Sequence, residues 1–138
     1  MAVIDMQAMR YINILDKVSH VKTRKCFVHN NTIFFAVNRS FISKAIGPSA
    51  INIKGVQEQI GRKVRIIRES EGIDDAKRFI DDVVSPVKTK SLEVKDECIV
   101  ITAGNNQTKA SLIGRNKRRY EELKKITKDV FNLDLKIV

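Results

Sequence analysis

A short pattern centred on an Ile-Gly pair occurs twice in this chain of 138 residues, as KAIGPSAINIK at 44–54 and ASLIGRNKRRYE at 110–121. In each, an apolar residue precedes Ile-Gly, a short polar stretch follows, and a helical pattern then starts. Ile46-Gly47 and Ile113-Gly114 lie 67 positions apart. A glycine between two helical segments admits backbone angles closed to other residues and lets a ligand come close to the main chain. The rest of the chain has to be arranged so that this unit is built twice.

The flanking elements recur in the same order. Ile4, Ala8, Ile12, Leu15 and Val18 stand at helical spacing and predict an amphipathic helix over 4–18. The stretches 24–30 and 32–37 read as two strands around Asn30-Asn31, because Asn tolerates the positive φ of a tight hairpin turn. Asn38 or Ser40 caps a short helix carrying Phe41, Ile42 and Ala45, which stops at Gly47. A second helix over 50–60 places Ile53, Val56 and Ile60 on one face, Gly61 ends it, and 63–69 is a strand.

The second half reads the same way. A helix over 73–84 ends at Ser85-Pro86. Strands over 89–95 and 98–103 turn at Asp96-Glu97, and a short helix spans 108–113. A longer helix carries Tyr120, Leu123, Ile126 and Val130, and 134–138 is the last strand. Val56 aligns with Leu123 at an offset of 67, but Val64 aligns with Leu135 at 71, so the last helix of the second copy should be about one turn longer. Two modules follow, 1–70 and 71–138. Each is small enough to have a marginal core, and the direct junction at 70–72 implies a fixed relative orientation.

The net charge is +10, which points to a polyanionic partner, nucleic acid above all. The charge is uneven. Residues 1–70 hold 12 Lys+Arg against 4 Asp+Glu, residues 71–97 hold 5 against 8, and residues 109–128 hold 8 against 2. The second basic concentration thus sits on the second glycine pattern. Lys109, Arg115, Lys117, Arg118 and Arg119 surround that turn, and Lys44 and Lys54 flank the first. Unpaired N–H groups at the start of the second helix, with its positive end, would favour phosphate.

Other chemistries find little support. Cys26 and Cys98 stand in separate strands with no CxxC or Cys/His cluster, so no zinc site is expected, and two buried thiols suit a reducing cytoplasm. No signal peptide and no long apolar run is visible, and no membrane partner is expected. Asp74, Asp75, Asp81 and Asp82 read as a salt-bridged helix face through Asp74/Arg78, Lys77/Asp81 and Arg78/Asp82 rather than a metal site. His20 and His29 have no sequence-near partner, and no nucleophilic triad, phosphate loop or dinucleotide fingerprint occurs, so neither an enzyme nor a cofactor is expected.

The αββααβ order with a glycine turn between two helices resembles the type II K-homology (KH) fold, an α+β module whose three-stranded sheet packs on helices. Two such modules in direct succession, with Ser85-Pro86-Val87-Lys88 after the first helix of the second, resemble the KH pair of the NusA family of transcription factors. The resemblance extends to the short archaeal form, which is essentially the two modules alone. Bacterial members carry a polymerase-binding domain and an oligonucleotide-binding barrel ahead of the pair. The resemblance covers nearly the whole chain and implies a monomer that binds single-stranded RNA, with RNA polymerase as a further partner. Its backbone-clamping loops fall on Gly47-Pro48-Ser49-Ala50 and Gly114-Arg115-Asn116-Lys117, with Ala50 and Lys117 where the family's second glycine stands. Its groove falls on Ile46, Ile51, Ile53, Lys54 and Arg65 in the first copy and on Ile113, Arg118, Arg119 and Tyr120 in the second. The implied role is nascent-RNA binding in transcription elongation or termination. RNA binding in ribosome assembly or translation, and a degenerate KH scaffold on polymerase, are the alternative readings.

Overall fold

Six helices and two three-stranded sheets make an α+β fold in the computed structural model, which describes residues 6–138. The chain divides into two units between Glu69 and Ser70. The first contains α1 (Met6–Ser19), β1 (Lys25–His29), β2 (Thr32–Val37), α2 (Ile42–Ile46), α3 (Ile51–Ile60) and β3 (Lys63–Arg68). The second contains α4 (Ala76–Val84), β4 (Ser91–Lys95), β5 (Cys98–Thr102), α5 (Asn106–Ile113), α6 (Arg118–Phe131) and β6 (Asp134–Ile137). Ile4 and Asp5, placed in the first helix from sequence, lie outside the described residues.

Both sheets have the same topology. β1 runs antiparallel to β2 and β3 parallel to it, with Ile33 opposite Val64. Likewise β4 runs antiparallel to β5 and β6 parallel to it, with Ile99 opposite Leu135. A parallel pair needs a long crossover, and the helix–turn–helix segment supplies it each time. The glycine turn is therefore the midpoint of the connection that closes each sheet. α3 has 10 residues and α6 has 14. That difference is the extra helical turn read from the shift in offset, and it leaves Val56 with Leu123 and Val64 with Leu135 as matched buried pairs.

Alternation along β2 sets the core of the first unit. Ile33, Phe35 and Val37 share one face and cluster with Tyr11 and Leu15 of α1, Ala45 of α2, Val56 of α3 and Val64 of β3. Phe34 points to the other face, stacks on Phe27 at 5.8 Å between ring centroids, and carries the Arg65 guanidinium 5.7 Å above its ring. In the second unit Phe79, Ile80, Ile99, Ile101, Leu112, Leu123 and Ile126 are the large buried side chains, and Phe79 meets Phe131 edge-on at 5.8 Å.

Local chemistry explains the element ends. Asn30 and Asn31 both take positive φ, 50° and 60°, and Asp96 and Glu97 repeat this at 52° and 59°. These are the paired left-handed residues of a two-residue hairpin turn. Asn38, not Ser40, caps the turn before α2 by accepting from the Ser40 N–H at 2.9 Å. Gly61 at φ 77° and Asn132 at φ 56° end α3 and α6 in the left-handed conformation and return their N–H groups to Gln57 and Lys128.

Several boundaries differ from the sequence reading for identifiable reasons. α5 begins at Asn106, two residues early, because the Asn105 side chain accepts from the Thr108 N–H at 2.7 Å and caps it. Residues Ile73–Asp75 form a 3-10 turn, and the α-helix starts only at Ala76. Arg78 bonds Asp75 and Asp82 rather than Asp74. Hydrogen bonding to Asp75 outweighs the opposing effect of burial and, with Asp82, raises the Arg78 pKa. Lys77 and Asp81 pair at 2.7 Å as expected. Asp81 does more, accepting from both the N–H and the hydroxyl of buried Thr89 at 3.1 and 2.8 Å. Cys26 and Cys98 are half-buried rather than fully buried, and neither forms a disulfide.

Glu97 is the residue least suited to its place in the β4–β5 turn, since a left-handed conformation costs a residue with a Cβ roughly 1–2 kcal/mol. Glu97→Gly should raise stability by up to about 1 kcal/mol after the entropic cost of glycine. Urea denaturation checks this, and an unchanged or lower midpoint would contradict the turn geometry.

Candidate nucleic-acid interface

The two glycine turns share one backbone conformation despite unlike sequences. Gly47 has φ 77° and ψ 165°, and Gly114 has φ 74° and ψ 177°. This region is open in practice only to glycine. Two left-handed residues follow two and three positions on. They are Ser49 (φ 53°) and Ala50 (φ 60°) in the first turn, and Asn116 (φ 55°) and Lys117 (φ 60°) in the second. The chain then enters α3 at Ile51 and α6 at Arg118 in right-handed geometry. Ala50 and Lys117 thus occupy positions whose geometry favours glycine, and they adopt it all the same.

A second feature holds each turn, and the sequence reading missed it in both copies. Five residues after the glycine, a side chain reaches back to a carbonyl three residues before it. The Asn52 amide donates to the Lys44 carbonyl at 2.9 Å, and Arg119 Nη1 donates to the Ser111 carbonyl at 3.3 Å. Both acceptors lie in the last turn of the preceding helix, where carbonyls lack intrahelical partners. The same two side chains cover the glycines. A Cβ at Gly47 would stand 2.8 Å from Asn52 Nδ2, and one at Gly114 would stand 2.8 Å from Arg119 Cγ. Only a glycine leaves room for this tie. A hydrogen-bonding residue five positions after each glycine is the signal that marks it in sequence.

The backbone donors expected to meet phosphate are partly used inside the turns. Ala50 and Lys117 donate to the Gly47 and Gly114 carbonyls at 3.1 and 3.3 Å, and Ile51 and Arg118 donate to the carbonyls of Pro48 and Arg115. Pro48 has no N–H to offer, whereas Arg115 has one. Side-chain charge is therefore the larger resource at the second turn.

The structure brings most of the sequence-derived residues to the two turns and moves one away. Lys44, Pro48 and Ser49 are exposed around the first turn, with Lys54 exposed on α3 and Ile46, Gly47 and Ala50 half-buried. Arg115, Asn116, Lys117 and Arg118 are exposed in succession at the second, with Lys109 exposed on α5 and Ile113 and Gly114 half-buried. Arg65 lies elsewhere: it sits opposite Phe34 on the sheet face turned from α2 and α3. Arg119 is half-buried by its tie to Ser111, and the Tyr120 hydroxyl donates to the Leu135 carbonyl at 2.7 Å, so both serve the local framework. An open depression of about 600 Å³ beyond Lys54 is lined by Lys54, Gln57, Glu58, Gly61, Arg62 and Lys63, extending the basic character along α3. Among the described residues no cluster of His, Cys, Asp and Glu suited to a metal ion occurs, and no helix is long and apolar enough to cross a membrane.

This geometry defines an α+β protein with two basic helix–turn–helix connections. No family model matches the chain. It is similar to archaeal proteins named probable transcription termination protein NusA. The Methanocaldococcus jannaschii protein is 26% identical over 120 residues, which is 85% of this chain and 64% of that protein. The Halococcus morrhuae protein is 21% identical over 129 residues, covering 92% and 91%. The Methanococcus vannielii protein is 24% identical over 106 residues, covering 75% and 60%. The chain thus spans less than two thirds of the length of two of these three relatives. The crystal structure of APE1850 shares the fold, at TM-score 0.68 and 21% identity over 98% of this chain and all of that one.

Gly47→Ala and Gly114→Ala should each cost roughly 1–3 kcal/mol or more, because strained angles and a blocked side-chain tie add. Asn52→Ala should cost about 1 kcal/mol. By contrast Lys117→Gly should leave stability equal or higher. Urea denaturation of the four variants checks the pattern, and a Gly114→Ala chain as stable as the original would contradict it.

Proposed function

We propose that this chain is a single-stranded RNA-binding factor of the NusA kind, built of two tandem type II KH modules and acting on nascent RNA in transcription elongation or termination. The observation that carries the reading is the twice-built glycine turn with four successive exposed residues, Arg115 to Arg118, at its second occurrence. The glycine sets the turn that leaves Arg115 to Arg118 exposed in succession, where their cations would meet a sugar–phosphate backbone. The exposed cations around it supply attraction that grows as salt is lowered. The names of the similar archaeal proteins support transcription termination as the process.

Binding is the whole of the proposed activity. Phosphate contacts from Lys44, Lys54, Lys109, Arg115, Lys117 and Arg118 would position the strand. Apolar groove residues such as Ile46 and Ile113, beside the glycines, would contribute what sequence preference there is. The carboxylates of Asp74, Asp75, Asp81 and Asp82, in α4 and the turn before it, would help exclude RNA from that face. RNA polymerase is a further candidate partner for such a role.

Titration of a short single-stranded RNA across a salt series tests the reading. Each phosphate contact contributes about 0.7 to the slope of log affinity against log salt, so Arg115→Ala with Lys117→Ala should lower it by roughly 1.4. An unchanged affinity and slope would remove the second turn from the interface.

A further inference from the structure

A second short pattern occurs twice in the chain, outside the glycine turns. Val21-Lys22-Thr23-Arg24 leads into β1 and Val87-Lys88-Thr89-Lys90 leads into β4, 66 positions apart. In both, a sheltered threonine stands between two exposed cations. Thr23 is half-buried and Thr89 buried, while Lys22, Arg24, Lys88 and Lys90 are exposed. Lysine and arginine are exposed on most surfaces, so their exposure alone means nothing. How the two segments are held is what distinguishes them.

The Thr23 hydroxyl donates to the Ala36 carbonyl and accepts from the Lys25 N–H at 3.1 Å. In the second unit the Lys90 N–H donates to the Thr102 carbonyl at 2.8 Å. Ala36 and Thr102 hold the same place in the central strands β2 and β5, again 66 positions apart. Thr89 is pinned further, since its N–H and hydroxyl both donate to Asp81. Asp81 also meets Lys77, so that carboxylate is already shared. Among the described residues none of the four exposed cations forms a salt bridge. Two like charges held two residues apart repel each other, and an anion between them removes that cost.

Each segment is fastened at the head of the helical stretch that ends in a glycine turn. Asn38, two residues after Ala36, caps the turn before α2, and Asn105, three after Thr102, caps α5. A Cβ at Gly104 would stand 3.2 Å from the Lys90 Cβ, so Lys90 lies against the entry to α5. The eight residues of α5 span about 12 Å. Each unit therefore carries exposed cations at both ends of this stretch, at the glycine turn and at the head. A ligand whose charge repeats along its length can engage both ends, and a single-stranded RNA is such a ligand. An acidic protein surface is the competing occupant, but it gives no reason for both units to carry the same two basic elements at the same helix ends.

We infer that Lys22 with Arg24, and Lys88 with Lys90, form a second phosphate-binding element in each unit, which holds the strand where it runs past the nucleotides taken at the glycine turn. The inference rests on the RNA-binding reading above. It lengthens the RNA held by each unit and adds four contacts that position the strand without reading its sequence.

Salt titrations with a mixed-sequence single-stranded RNA of about sixteen nucleotides test this, since that length runs past two four-nucleotide sites. The combined variant Lys22→Ala, Arg24→Ala, Lys88→Ala and Lys90→Ala should lower the slope of log affinity against log salt by roughly 2.8. A charge-matched control, Arg10→Ala, Lys17→Ala, Lys125→Ala and Lys128→Ala, removes the same charge from exposed positions on α1 and α6 and should lower it by less than about 0.7. Lys22→Arg with Lys88→Arg and Lys90→Arg should keep the slope. Every residue changed is exposed, and thermal denaturation checks that the fold is kept. An unchanged slope in the first variant overturns the inference and leaves an acidic protein surface as the occupant. An equal loss in the control overturns it too, because net charge rather than contact would then be at work. Failure of the unaltered chain to bind RNA at any salt is the separate result that defeats the underlying reading.

Discussion

Two glycines held where no other residue sits comfortably govern the rest of this molecule. At Gly47 and Gly114 the chain leaves one helix with φ near +75° and extended ψ. It then passes through two left-handed residues and enters the next helix. The missing Cβ serves twice, because it permits those angles and vacates the space that Asn52 or Arg119 fills on its way to a carbonyl of the preceding helix. The direction of α3 and α6, and through them the parallel pairing of β3 with β2 and of β6 with β5, follows from how this turn is set. The strain is kept because the surrounding sheet and helices over-determine it.

Much of this was legible in the sequence because it depends on residue types with few conformational options. Gly61 and the Asn30-Asn31 pair announce left-handed positions. The four-residue shift between the Val56/Leu123 and Val64/Leu135 offsets corresponds to the extra turn of α6. What was not legible depends on side-chain direction. Arg65 stands in the right strand, but strand alternation sends it to Phe34 and away from the helices. Arg78 chose Asp75 over Asp74 because the 3-10 turn before α4 changes which carboxylate comes within reach. Asn52 looked like an ordinary helix residue. Its tie to Lys44 is visible only once the turn brings the two helix ends together. At the second turn Arg119 was legible as a cation, while the structure gives it a framework role.

A common frame carrying different side chains separates geometry from chemistry. The four residues after the glycine take the same backbone conformation in both turns whatever their side chains are. Substitutions there would change charge and polarity with little change in shape, so that under the proposed reading affinity, salt dependence and base preference would be separately adjustable. The charge distribution fits that arrangement, since a dense run of basic residues surrounds the second turn while Asp81 and Asp82 of the middle segment are paired with Lys77 and Arg78 on α4.

The most direct test of the account is to see where RNA touches the chain. Backbone amide shifts followed by NMR during titration with a short single-stranded RNA report this residue by residue. The account predicts the largest changes over residues 47–54 and 114–119, with the α4 helix and the β4–β5 turn unmoved. Changes centred on α4 or on the Asn30-Asn31 and Asp96-Glu97 turns, with the glycine segments silent, would contradict it.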